Sequence, residues 1–209
     1  MKGLRLLLAV ALAVATLPLQ GADPPEFAEK RITAQQLGEI RRGGFVLYLR
    51  HGYTDNSRAD RMPNVDLDDC STQRVLSDAG RALMREVGQN IRAARIPLGE
   101  VLASPYCRTL ESARLAVGEG FRVELPLAYS ANMTAEEKRP RIAALRQLLG
   151  RPVAPGGNRL IVAHAPNLAD LIGFFVKPEG NMVVFRPGGE KGFEYIGSVH
   201  PEDWAKLAR

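Results

Sequence analysis

The sequence predicts an α/β domain, a three-layer α/β/α sandwich built on a mainly parallel central sheet. Three observations predict it. Short apolar runs at 45–49, 101–103 and 159–163 read as buried strands. Stretches of helical periodicity separate them. Each run also ends in, or leads into, a cation or an imidazole, the polar groups expected where an open parallel sheet places its ligand crevice. The 209 residues are 45% hydrophobic, enough for one full core and not clearly for two.

The elements follow in order. Lys2 and Arg5 precede an apolar run from Leu6 to Leu17 with small residues after it, which reads as a signal peptide of residues 1–22 cleaved after Ala15, Gly21 or Ala22. The run is shorter than the ~20 apolar residues of a transmembrane helix. The mature chain is therefore expected to be a single domain, 23–209, exported to the periplasm and without stable membrane insertion after cleavage. After a polar lead-in, Thr33 caps a helix to Arg42, with Leu37 and Ile40 on one face and Gly43-Gly44 at its end. The strand 45–49 then runs into Arg50-His51-Gly52. Residues 52–75 form a long polar segment, a length that marks a lid or binding loop.

Ser77 caps a helix to about Ala94, with Leu83, Val87, Ile91 and Ala94 on one face. The second strand, 101–103, leads to Ser104-Pro105, read as an N-cap followed by proline at the first helical position, and the helix runs to Val117. Thr134 and Glu137 have capping-box spacing before a helix to Leu149, whose start Pro140 is expected to delay. The third strand, 159–163, ends at His164, and Asn167 to Phe175 reads as a helix. Two closing strands, 182–186 and 193–199, flank a turn at Pro187-Gly188-Gly189.

The net charge of +5 is scattered, without an aromatic-interleaved basic stripe, so nucleic acid is not an expected partner. The two cysteines, Cys70 and Cys107, do not make a zinc site. They fit either a disulfide kept in an oxidising compartment or two buried thiols. Asp66, Asp68 and Asp69 lack the glycine and terminal glutamate of a calcium loop and read as solvated. His200 reads as helix-start structure.

Strand ends on one sheet edge would gather Arg50, His51, Arg108 and His164. Arginine forks and a helix N-terminus suit a phosphate dianion. An imidazole is a competent nucleophile toward phosphorus near neutral pH. Glu111, three residues on, is the acidic neighbour with which Arg108 could pair instead.

Four blocks carry a resemblance: Leu49-Arg50-His51-Gly52-Tyr53-Thr54, Leu76-Ser77-Asp78-Ala79-Gly80-Arg81, Ala103-Ser104-Pro105-Tyr106-Cys107-Arg108-Thr109 and Ile161-Val162-Ala163-His164. In order and spacing, over roughly residues 44–175, they resemble the histidine phosphatase superfamily with its phosphoglycerate-mutase-like fold. The resemblance implies that His51 becomes phosphohistidine, that Arg50, Arg108 and His164 hold the nonbridging phosphate oxygens, and that water then hydrolyses the intermediate. It implies a small phosphorylated substrate, a phosphomonoester, and no metal or organic cofactor.

Two departures stand out. Ala165 follows His164 where some relatives carry an acid, and none of Glu124, Glu136 and Glu137 aligns with the alternative position of the proton donor. Between Asn56 and Arg61 no clean counterpart of a further phosphate-binding residue occurs, and Arg58 is the candidate there. The missing acid suits a phosphohistidine or phosphoramidate substrate as a second reading. A noncatalytic phosphate- or phosphosugar-binding protein with a degenerate site is a third.

Overall fold

A computed structural model describes residues 27–207; the predicted signal peptide and its cleavage point lie outside the described residues. The apolar runs form a six-stranded sheet from β1 (Val46–Arg50), β2 (Leu98–Ala103), β3 (Arg122–Val123), β4 (Asn158–Ala163), β5 (Met182–Pro187) and β6 (Phe193–Val199). The order is β3-β2-β4-β1-β5-β6. The β3-β2-β4-β1 pairings are parallel, and β5 is antiparallel to both its neighbours, so β5 alone is reversed.

Among the described residues, six helices cover the sheet: α1 (Ala34–Ile40), α2 (Asp78–Ala93), α3 (Cys107–Val117), α4 (Ala135–Gly150), α5 (Ala165–Ile172) and α6 (Trp204–Leu207). Alternation along β1 builds the three layers. Leu47 and Leu49 face one way, into a core with Leu37, Ile40, Met84, Val87, Ile91, Ala113 and Trp204. Val46 and Tyr48 face the other way, against Leu145, Leu149, Leu168 and Leu171 of α4 and α5. A strand apolar at every position is what two covered faces require. Among the described residues, no helix is long and apolar enough to cross a membrane.

The predicted caps form at α1, α2 and α4, where the side chains of Thr33, Ser77 and Thr134 accept hydrogen bonds from the first turns. Three helix starts differ from expectation. Helix α3 begins at Cys107 with Tyr106 as its cap residue, because Ser104 is turned instead toward His164. Helix α5 begins at Ala165, directly after His164, since Pro166 fits a first turn that has no use for its missing N–H. Pro140 lies inside α4 without delaying its start. The two-residue β3 and the one-turn α6 lack the periodicity that would announce them.

Residues 52–75 form a strap rather than a lid. Thr54 bridges Leu76 in antiparallel fashion, and Arg61 N–H donates to the Thr72 carbonyl. Thr72 Oγ1 accepts from Asp66 N–H and donates to the Asp69 carbonyl. Cys70 is disulfide-bonded to Cys107 at the start of α3, with 5.7 Å between Cα atoms. This settles the cysteine question in favour of the bond, worth about 2–4 kcal/mol in the chain-entropy account. Gln73 Oε1 accepts from Cys107 N–H at 2.9 Å beside it. Gly80 lets α2 approach the strand end, since a Cβ there would lie 1.9 Å from the Tyr53 carbonyl oxygen.

Candidate active site

Strands β1 and β4 are adjacent and parallel, with Arg50 opposite Ala163. The next residue of each strand is a histidine, so the register alone brings His51 and His164 together. Their ring centroids lie 5.3 Å apart, and His51 N–H donates to the Ala163 carbonyl at 3.1 Å. Beneath them, the buried Tyr48 hydroxyl donates to the His164 carbonyl at 2.7 Å and accepts His164 N–H at 3.2 Å. Burial pushes that phenol up, which keeps it a donor.

Different hydrogen bonds set both imidazoles in the same tautomer, with the hydrogen on Nδ1. His51 Nδ1 is 2.8 Å from the Gly52 carbonyl, which only accepts, so Nδ1 carries the hydrogen and Nε2 keeps its lone pair. His164 Nε2 is 2.7 Å from Ser104 Oγ. Ser104 Oγ also accepts Tyr106 N–H at 3.4 Å, and its own hydrogen is best satisfied by His164 Nε2. That leaves the hydrogen of His164 on Nδ1, which is buried and has no partner among the described residues. Burial first, and the nearby Arg108, Arg50 and Arg74 after it, hold both imidazoles well below the ordinary 6.5, so both are neutral near pH 7.

Arg108, from the first turn of α3, is fully buried. Its Nη1 donates to Asp60 Oδ1 at 3.0 Å and to the Arg74 carbonyl at 3.3 Å. Nε and Nη2 are buried without a partner among the described residues. The guanidinium carbon lies 4.6 Å from the Tyr106 ring centroid and 5.0 Å from that of Tyr129, and both rings also edge onto His164. Arg50 gives Nη1 to the Val176 carbonyl at 2.6 Å and pairs through Nη2 with Glu179, leaving Nε buried and unpartnered among the described residues. Burial lowers the pKa of both arginines, and the paired carboxylates act against it. Arginine stays charged under such shifts.

Four of the five predicted site residues, Arg50, His51, Arg108 and His164, therefore meet. Arg58 does not join them: it is exposed and donates to the Ser71 carbonyl at 2.9 Å within the strap. The third cation beside the imidazoles is Arg74, whose charge acts on both histidines and on Arg50 and Arg108. Its sequence signal is slight, a place two residues before the Leu76-Ser77 block. Glu111 pairs with Arg81 rather than Arg108. Glu124 pairs with Arg122 and Glu137 caps α4. The carboxylates that reach the cationic cluster are Asp60 and Glu179, neither of them anticipated.

The site thus has a nucleophilic nitrogen beside buried donors on Arg50, Arg108 and His164 that want acceptors. Leaving such donors unpaired is costly. A tetrahedral oxyanion would satisfy them with charge-assisted bonds. Among the described residues, no cluster of three or more histidines, cysteines and carboxylates is arranged to hold a metal ion.

No protein-family model matches the sequence, and no curated protein matches it. Solved structures do match in fold. The protein histidine phosphatase SixA in complex with tungstate superposes with a TM-score of 0.53 at 16% identity, covering 76% of this chain and 98% of that one. A candidate phosphohistidine phosphatase SixA from Agrobacterium tumefaciens gives 0.51 at 16% identity, over 76% and 99% of the two chains. A His-to-Ala variant of phosphoserine phosphatase from Entamoeba histolytica, in complex with phosphoserine, gives 0.50 at 11% identity, over 76% and 98%. The chain has the fold of these histidine phosphatases, the phosphoglycerate-mutase-like α/β/α sandwich expected from the sequence.

Proposed function

We propose that this chain is a phosphatase that hydrolyses a small phosphomonoester through a phosphohistidine on His51. The observation that carries the reading is the Nε2 lone pair of His51, held by the Nδ1–Gly52 hydrogen bond beside the buried, unpartnered donors of Arg50, Arg108 and His164. In the first step Nε2 attacks phosphorus, an N–P bond forms, and the P–O bond to the leaving group breaks with its electron pair on that oxygen. In the second step water attacks the same phosphorus, the N–P bond breaks, and inorganic phosphate and free His51 result. Arg50, Arg74 and Arg108 balance the phosphoryl charge throughout, so the reading asks for no metal or organic cofactor. The similarity of fold to a phosphatase solved with tungstate supports an oxyanion in this place.

One observation favours a second reading, a phosphohistidine or other phosphoramidate substrate. Asp60 and Glu179, the carboxylates at the cluster, are each paired to an arginine, which suits a leaving group that departs without a carboxylic acid behind it. The Cys70–Cys107 bond supports export to an oxidising compartment.

The test is hydrolysis of an aryl phosphate together with acid-labile labelling by radioactive phosphate. His51→Ala should lose both while keeping its fold. Labelling on another residue, or turnover that survives in the variant, overturns the mechanism. Binding of phosphate with no turnover in the native chain identifies the noncatalytic alternative.

A further inference from the structure

We infer that Asp60 is a positioning residue that turns the binding edge of Arg108 toward the phosphoryl group. A guanidinium has one side-on edge, Nε with Nη2, whose two N–H bonds run parallel and match two oxygens of a tetrahedral anion. Nη1 lies outside that edge. In this site Nη1 is the nitrogen that is held, by Asp60 Oδ1 at 3.0 Å and the Arg74 carbonyl at 3.3 Å. Nε and Nη2, the two nitrogens of the side-on edge, are the ones left buried and unpartnered among the described residues. The Tyr106 and Tyr129 rings, at 4.6 and 5.0 Å from the guanidinium carbon, cover it without using any of its N–H groups.

Asp60 is itself well placed for this work. Its side chain is 9% exposed, and Oδ1 also accepts the Arg74 N–H at 2.8 Å. One carboxylate oxygen therefore fixes the fork of Arg108 and the backbone of Arg74. Asp60 comes from the strap, 48 residues from Arg108 along the chain. It acts through Arg108 and does not touch the reacting atoms.

The inference rests on the phosphatase reading of the site, and a double-mutant cycle read by vanadate inhibition separates the two. Arg108→Ala should weaken inhibition by roughly 10–100-fold, the loss of a charge-assisted pair of hydrogen bonds. Asp60→Ala should weaken it by a similar factor, and the double variant should be no worse than Arg108→Ala alone, because the two residues act as one unit. Asp60→Asn keeps an acceptor oxygen in place and should stay within ~3-fold of the native chain. If Arg108→Ala inhibits normally, the oxyanion site itself is misplaced. If Arg108→Ala is weakened while Asp60→Ala is not, the positioning role alone is wrong. Additive losses also overturn it, since they mean that Asp60 acts independently of Arg108. Should Asp60→Ala fail to fold, Asp60→Ser, too short to reach both partners, takes its place in the cycle.

Discussion

The two halves of the site are built by different means. One half, Arg50, His51 and His164, hangs from the ends of β1 and β4, where parallel register fixes each residue opposite the next. The other half, Asp60 and Arg74 with Arg108 between them, depends on an irregular strap folding back onto the first turn of α3. On the proposed reading, the first half supplies the nucleophile and the neutral donor. The second supplies most of the buried charge. Regular structure places atoms by repetition, whereas the strap places them through specific tertiary bonds and a disulfide, so the two halves should respond differently to damage.

The largest effect should fall on the register half. His164→Ala removes the Nδ1 donor and the neighbour of the nucleophile, and single-turnover phosphorylation of His51 should slow by about 10²–10⁴-fold, the range for loss of a positioned acid–base or donor group. Thermal unfolding should change less, because the β1–β4 ladder does not depend on that ring. Phosphorylation at the native rate would detach His164 from the chemistry.

A second experiment sharpens the contrast within the strap. Arg74→Ala should weaken phosphate and vanadate inhibition by roughly 10-fold or more, as the loss of a charge-assisted contact worth ~1.5–3 kcal/mol. Arg58→Ala, which removes only an exposed donor to the Ser71 carbonyl, should leave inhibition unchanged. The reverse ranking would restore Arg58 to the site.

The smallest effect concerns pH. Folding holds His51 and His164 well below 6.5, so as pH falls below that value the unfolded chain takes up protons that the folded chain refuses. Stability should therefore be fully retained above about pH 6.5 and should decline progressively below it, down to the folded pKa values. Urea melts at pH 7.5 and 5.5 check this, and the decline should be shallower in His51→Asn. The acidic limb of kcat/KM should likewise lie below 6.5, since Nε2 stays unprotonated there. A limb at or above 6.5 would contradict the neutral, buried imidazoles.

The legibility of the sequence follows the same division. The runs 45–49, 101–103 and 159–163 were readable as strands because burial on both faces leaves a continuous apolar mark, and His51 and His164 were readable because they sit where those marks stop. Ser104 misled the placement of α3, since a serine before a proline looks like a cap whether its hydroxyl serves the helix or, as here, His164 Nε2. Asp60 and Arg74 could not be ranked above Arg58. All three are polar residues in one aperiodic segment, and the contacts that distinguish them cross 34 to 48 residues.

On the proposed reading, the Cys70–Cys107 bond bears on how substrate reaches the histidines and arginines of the site. The strap is anchored to β1 through His51, stitched to itself between Thr54 and Leu76, and riveted to α3 by sulfur. It is a wall and not a door. Substrate entry and phosphate exit should then use the side where the Phe175–Glu179 turn lies against Arg50, with the Phe175 ring 5.7 Å from the guanidinium carbon and Glu179 paired to it. An oxidised chain should consequently turn over at the same rate whether or not a bulky label is attached to the outer strap at Arg58, and should slow when the same label is placed at Phe175.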